Sequence, residues 1–247
     1  MRTSRSWDAV ARELSPRFHV VALDARGHGG SDWTPRGYST VERAEDLAAF
    51  CRRLGLTDIV GVGHSTGAAV MALCAQRVPG IFSRLVLLEP VVVLNERFHR
   101  MVTSRAGKPR RTWRGHPELH EYLKGHEIAG RWRDDVIDDV VEHETIELPD
   151  GSIDIKWSSD TFNAEDRRGD YYDLKPVLRD LDLPVLFITS EKRRTYFQEL
   201  EPLAAELPDF HLLTVKDTDH NMYMERPDAV AQAISRFACT EELPEAV

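Results

Sequence analysis

The chain has 247 residues, 42% hydrophobic and 30% charged, with a formal net charge of −9, which suits one sizeable globular domain with room for an inserted subdomain. No apolar run approaches the roughly 20 residues of a membrane span, the acidic balance argues against nucleic acid as a partner, and the N-terminus MRTSRSWDAVAREL lacks the apolar core of a secretory signal. The three cysteines, Cys51, Cys74 and Cys239, are odd in number and without metal-ligand spacing, so a reduced cytoplasmic protein with no metal is expected rather than a disulfide scaffold.

The first predicted element is a strand over 19–24, HVVALD. A helix follows over 41–55, where Val41, Ala44, Leu47, Ala48, Cys51 and Leu54 form one apolar stripe and Gly55 stops it. Next come a strand over 58–63, a helix over 66–78 closed by Pro79-Gly80, and a strand over 84–89. After residue 180 the pattern resumes with strands over 184–189 and 211–216 and helices over 196–207 and 228–238. The strand runs are rich in Val, Leu and Ile without polar alternation, as strands covered on both faces should be. Strands alternating with helices predict an α/β fold around a mostly parallel sheet with right-handed crossovers.

Residues 92–180 break this rhythm. They contain no comparable strand run, carry three of the five tryptophans, and read as an insertion with its own helices. Residues 97–114 hold seven Lys/Arg and no acid, whereas 134–154 hold nine Asp/Glu and no Lys or Arg. The polarity reads either as an entrance that selects anionic substrates or, more simply, as two solvated faces that partly neutralise each other.

The chemistry centres on GHSTG, residues 63–67, at the junction of the 58–63 strand and the following helix. A tight strand–turn–helix junction lifts the Ser65 hydroxyl above the sheet edge, and Gly63 and Gly67 are expected to permit close approach of helix and strand. The Thr66 amide, at a helix N-terminus, is a candidate donor to a developing oxyanion. A serine nucleophile needs a base. Of the ten histidines, His220 stands out, because it follows the last strand at the sheet edge where open α/β folds build their sites. His28, in the turn after the first strand, is a weaker candidate. His64 adjoins the serine, so its ring should diverge from it. The same residues also read as Gly-x-Gly-x-x-x-Gly with Glu89 in the place of a ribose-binding acid, but the third glycine is displaced from a dinucleotide fingerprint.

In order and spacing, VVALDARGHGGSD, GVGHSTG, RLVLLEP and DTDHNMYMERPDAV resemble the α/β-hydrolase superfamily. The resemblance covers 1–91 and 181–247 as a discontinuous core, and 92–180 falls where that superfamily inserts a cap or lid. It implies Ser65 as nucleophile, His220 as base, and residues 24–31 as a structural turn. The superfamily's usual acid position is occupied here by Arg193, after Ser190-Glu191-Lys192. The resemblance therefore points to Glu89, at the end of the strand after the nucleophile helix, with Glu191 as the alternative. Trp113, Trp132, Trp157, Phe162 and Tyr171 would line a substrate pocket under the cap or simply pack the cap.

The superfamily's opening strands and His-Gly oxyanion loop are not recognisable before residue 19. One of those strands would lie between 19–24 and 58–63, so these two are expected either to pair directly or to leave a gap, with an exposed edge inviting association. The expected activity is a cofactor-free serine hydrolase of small carboxylic esters or lactones. A homo-oligomer is compatible with this, and a non-catalytic ligand-binding relative is the alternative.

Overall fold

The computed structural model describes residues 2–104, 108–162, 172–207, 209–244 and 246–247; Tyr171 and the middle of the basic stretch lie outside them. In chain order the helices and strands are α1 (Asp8–Leu14), α2 (Thr40–Leu54), β1 (Ile59–His64), α3 (Thr66–Arg77), β2 (Phe82–Leu88), β3 (Val93–Leu94), α4 (Glu96–Thr103), α5 (His116–Gly125), α6 (Asp134–His143), β4 (Thr145–Glu147), β5 (Ile153–Ile155), β6 (Tyr172–Asp173), α7 (Leu174–Asp180), β7 (Val185–Ser190), α8 (Glu201–Glu206), β8 (Phe210–Val215), α9 (Met222–Glu225) and α10 (Pro227–Ala238). No helix among the described residues is long and apolar enough to cross a membrane.

The core is a parallel sheet in the order β1-β2-β7-β8. Successive side chains of a strand face opposite ways, and both faces are covered here. Val86, Leu88, Leu186 and Ile188 pack with α1, α10 and residues of the 92–180 segment, while Leu85, Leu87, Val185 and Phe187 pack with α2, α3 and α7. This two-sided burial is why the strands read as continuous apolar runs.

Local sequence explains the flanking helices. Ser39 caps α2: its hydroxyl accepts the Glu42 amide (3.2 Å), and Glu42 accepts the Ser39 amide (3.2 Å) in return. Gly55 ends the helix in the left-handed region at φ 65°. The predicted stripe is buried at Ala44, Leu47, Ala48 and Cys51, but Leu54, in the last helical position, is exposed.

Residues 19–24 do not form a strand. They run extended and largely exposed, with Val20, Val21 and Leu23 facing solvent. They neither pair with β1 nor receive a strand from the preceding residues, which form a 3₁₀ turn (Ser4–Trp7) and α1. An apolar run becomes a strand only where a neighbour satisfies its backbone groups, and none of the described residues does so here. Among the described residues β1 is hydrogen-bonded on the β2 side only. The turn that follows is well held: the Asp24 carboxylate accepts the amides of Ser4 (2.7 Å) and Gly30 (2.8 Å).

Residues 92–180 contain α4 to α7 and the short antiparallel pairs β3–β6 and β4–β5. The segment is joined to the 27–29 turn, where Gly29 N donates to Lys156 O (2.8 Å) and Ser158 N donates to Gly27 O (2.7 Å). Its charges are partly internally paired. Arg110 meets Asp154 (2.8 Å), Arg133 meets Asp135 (2.6 Å), and Arg12 of α1 meets Asp135 (3.0 Å) and Asp139 (2.9 Å). The Arg110–Asp154 pair joins the two polarised stretches, as the simpler reading expects, while the others pair the acidic stretch with its surroundings.

Candidate active site

The strand order brings the C-terminal ends of β1, β2, β7 and β8 into one row, and each contributes a residue to the site. Ser65 follows β1 with φ 55° and ψ −121°, a backbone strained for any residue but glycine. Its amide donates to Leu88 O (2.9 Å), which ties the turn to the end of β2. Gly63 is required at this junction, because a Cβ there would lie 2.7 Å from both Ala68 Cα and Gly67 O. Gly67 differs from expectation, since a Cβ there would meet open space. Thr66 begins α3, so its amide belongs to the unsatisfied first turn of that helix.

Glu89, at the end of β2, is almost completely buried. Its Oε2 lies 2.6 Å from His220 Nδ1. Its Oε1 accepts the Ser190 amide (2.8 Å), the Ser190 hydroxyl (2.5 Å) and the Thr189 hydroxyl (3.3 Å). A buried carboxylate is tolerable only with this kind of satisfaction. Three donors fix one oxygen and leave the other for the imidazole. Glu191, the alternative acid, instead accepts the Asp217 amide (3.0 Å).

His220 sits in the loop after β8. Asp219 does not simply point away: its Oδ1 accepts the His220 amide (2.7 Å) and the Arg193 guanidinium (2.6 Å). The Arg193 hydrogen bond holds the Asp219 carboxyl below its ordinary range, although burial opposes it. Arg193, which stands at the usual acid position, thus braces the histidine loop.

Sequence reasoning missed the contribution of His64. Its Nε2 lies 2.7 Å from His220 O, and the two rings are 4.5 Å apart. Burial is the main cause that pushes the His64 pKa well below its ordinary value, with His220 adding to it, so His64 stays neutral and must donate from Nε2. No spacing rule foretells that a residue beside the serine would reach a carbonyl 156 positions away. His28 is occupied elsewhere, its Nδ1 meeting Arg26 O at 3.0 Å.

The aromatic candidates divide. Trp113 and Trp132 are buried in the cluster that includes Val136, Ile137 and Val140, and Arg2 lies over the Trp132 ring. Trp157 bridges to His28 and meets Phe162 edge-on at 5.1 Å. One group of possible metal ligands occurs among the described residues, Asp8, Asp139 and His143, with ligand atoms within 4.8 Å of one another. Its carboxylates already pair with Arg5 (2.8 Å) and Arg12 (2.9 Å).

A strained serine, a histidine and a buried carboxylate at one sheet edge are the residue types that nucleophilic acyl transfer uses. Comparison with known proteins agrees at the level of the family. Residues 2–233 match the alpha/beta hydrolase family. The chain is 28% identical to the 2-(acetamidomethylene)succinate hydrolase of Mesorhizobium japonicum, over 95% of this chain and 83% of that one. A solved E-2-(acetamidomethylene)succinate hydrolase superposes with a TM-score of 0.81 at 26% identity, covering 96% of this chain and 87% of the other. Over a shorter stretch, 35% of this chain and 33% of the relative, it is 40% identical to the N-formylmaleamate deformylase of Pseudomonas putida. On this fold, this row of residues and these matches, the chain belongs to the alpha/beta hydrolase family.

Proposed function

We propose that the chain is a serine hydrolase that cleaves a small carboxylic ester or lactone through an acyl-enzyme on Ser65. The Ser65 hydroxyl attacks the carbonyl carbon while His220 Nε2 takes its proton, and Glu89 holds the Nδ1–H and stabilises the imidazolium. The carbonyl oxygen becomes an oxyanion that accepts a hydrogen bond from the Thr66 amide at the start of α3. Collapse expels the alkoxide leaving group, which takes the proton from His220. Water then attacks the acyl carbon, gives a proton to His220, and releases the acid as Ser65 regains its hydrogen. Residues 92–180 form a cap over this edge in our reading, with Trp157 and Phe162 on the side of the 27–29 turn. Trp113 and Trp132 serve mainly to pack the cap.

The observation that carries the reading is the 2.6 Å contact of buried Glu89 with His220, at the sheet edge that also carries a serine held at φ 55°. The dinucleotide reading loses its main residue, because Glu89 is turned to His220 and Ser190 rather than outward to a ribose. A second reading within the same machinery is hydrolysis of an amide in a small acidic substrate. The names of two relatives favour it, one a 2-(acetamidomethylene)succinate hydrolase and the other an N-formylmaleamate deformylase.

Treatment with a fluorophosphonate, followed by peptide mapping, tests the nucleophile. We expect one adduct, on Ser65, absent from Ser65→Ala. An adduct elsewhere that persists in Ser65→Ala refutes the assignment. Turnover of an ester panel against an N-acyl amide panel then separates the two substrate classes.

A further inference from the structure

Glu225 is a buried carboxylate that the proposed chemistry does not use. Its side chain is 3% exposed, in the short helix α9 that follows His220. It joins two parts of the molecule. Toward the histidine, the Asp219 amide donates to Glu225 Oε1 (3.1 Å) and Oε2 (3.2 Å). Toward the 92–180 segment, Arg131 Nε donates to Glu225 Oε2 (2.8 Å). The same guanidinium donates to Asp217 O (2.6 Å), and Arg133 N donates to Met224 O (2.9 Å). The backbone on both sides of His220 is therefore gripped by a short piece of the inserted segment, with Glu225 at the junction.

The consequence follows from rigidity. A charge-assisted hydrogen bond into a buried carboxylate is short and directional, and removing one partner leaves the other desolvated. If Arg131 leaves its place, Glu225 loses its counter-charge and its hold on the Asp219 amide changes with it. Asp219 Oδ1 accepts the His220 amide, so the disturbance arrives one residue from the imidazole. We propose that Glu225 is a positioning residue through which the seating of the 92–180 segment sets the geometry of His220. It touches no reacting atom, and its role is to make an unseated cap and a misaligned base the same event. This inference rests on the reading of Ser65 and His220 as nucleophile and base.

The test measures the rate of Ser65 labelling by a fluorophosphonate, resolved into the maximal rate and the half-saturating probe concentration. It compares the wild type with Glu225→Gln, Arg131→Gln and the double variant. Each single variant should lower the maximal rate roughly 10- to 100-fold, the range for displacing a reacting group by up to an ångström, and leave the half-saturating concentration nearly unchanged. The double variant should be no slower than Glu225→Gln alone, because both changes break one linkage. Thermal melts and tryptophan emission establish that the variants are folded. Arg131→Gln alters a partly exposed side chain and carries the test alone if Glu225→Gln does not fold. Wild-type labelling rates in the folded variants, a change confined to the half-saturating concentration, or fully additive losses would overturn the inference while leaving the Ser65 assignment intact. Failure of the wild type to label at Ser65 would overturn that assignment and this inference with it.

Discussion

Replacing Glu89 by glutamine tests the proposed triad without changing its shape. Three donors, the Ser190 amide, the Ser190 hydroxyl and the Thr189 hydroxyl, converge on Oε1. In the variant they retain the amide oxygen, so the amide nitrogen faces His220 Nδ1 across the 2.6 Å position. A nitrogen that donates there forces Nδ1 to accept and moves the ring proton to Nε2, the atom that must take the proton of Ser65. A serine triad with its imidazole in the wrong tautomer loses about 10⁴ in rate, equivalent to about 5 kcal/mol of barrier. The assay is the rate of fluorophosphonate labelling at Ser65 near neutral pH, which requires no knowledge of the natural substrate. Glu191→Gln serves as control, since Glu191 reaches only the Asp217 amide at 3.0 Å. Wild-type labelling by Glu89→Gln, or a larger loss in Glu191→Gln, would refute the assignment.

Two further predictions concern His64 and His28. His64→Leu removes the donor to His220 O and should slow labelling about 10-fold, the effect of one lost buried hydrogen bond, whereas His64→Gln, which retains an N–H, should recover most of the rate; equal behaviour of the two variants would deny the donor its role. His28 is buried and beside Arg43, and both effects, burial first, push its pKa down to about 4 from 6.5. The unfolded chain then takes up a proton below pH 6.5 that the folded one refuses until about pH 4. This residue should therefore cost roughly 3 kcal/mol of stability as pH falls across that window. Urea unfolding at pH 7 and at the acid end should show a smaller acid loss in His28→Asn than in the wild type, and parallel losses would refute the attribution.

The sequence displayed much of this site because its chemistry lies at strand ends. A buried parallel strand advertises itself as an apolar run, and the residue that breaks the run marks the sheet edge. Ser65 and Glu89 stand out in that way, and His220 as the histidine of the loop after the last strand; the roles given to them are our proposal. What was not legible depends on partners distant in the chain. Arg131 and Glu225 are 94 positions apart, and neither carries a local pattern that names the other. Residues 19–24 have the composition of a strand but no neighbour among the described residues, and composition reports only the side-chain half of that requirement. Gly67 belongs to the motif, yet the close approach is made at Gly63 alone.

The one-sided pairing of β1 gives the site two unequal mechanical halves. Glu89, Ser190 and the start of the His220 loop extend from β2, β7 and β8, where β2 and β7 are each flanked by strands on both sides. The other terminal strand, β8, is also bonded to the C-terminal residues, where Val247 N donates to Thr214 O (3.0 Å) and Lys216 N donates to Val247 O (2.7 Å). Ser65 instead extends from β1, which has no such second partner among the described residues, in a strained backbone. Opening of a sheet begins where hydrogen bonds are fewest. The earliest excursion of this fold would thus carry Ser65, the proposed nucleophile, away from the Glu89–His220 pair. Relaxation of the strained turn favours that excursion, and a bound acyl group that holds Ser65 against the Thr66 amide opposes it. Occupancy of the site would then act as a clasp on the sheet's weakest margin, so that the molecule is most coherent while it is at work.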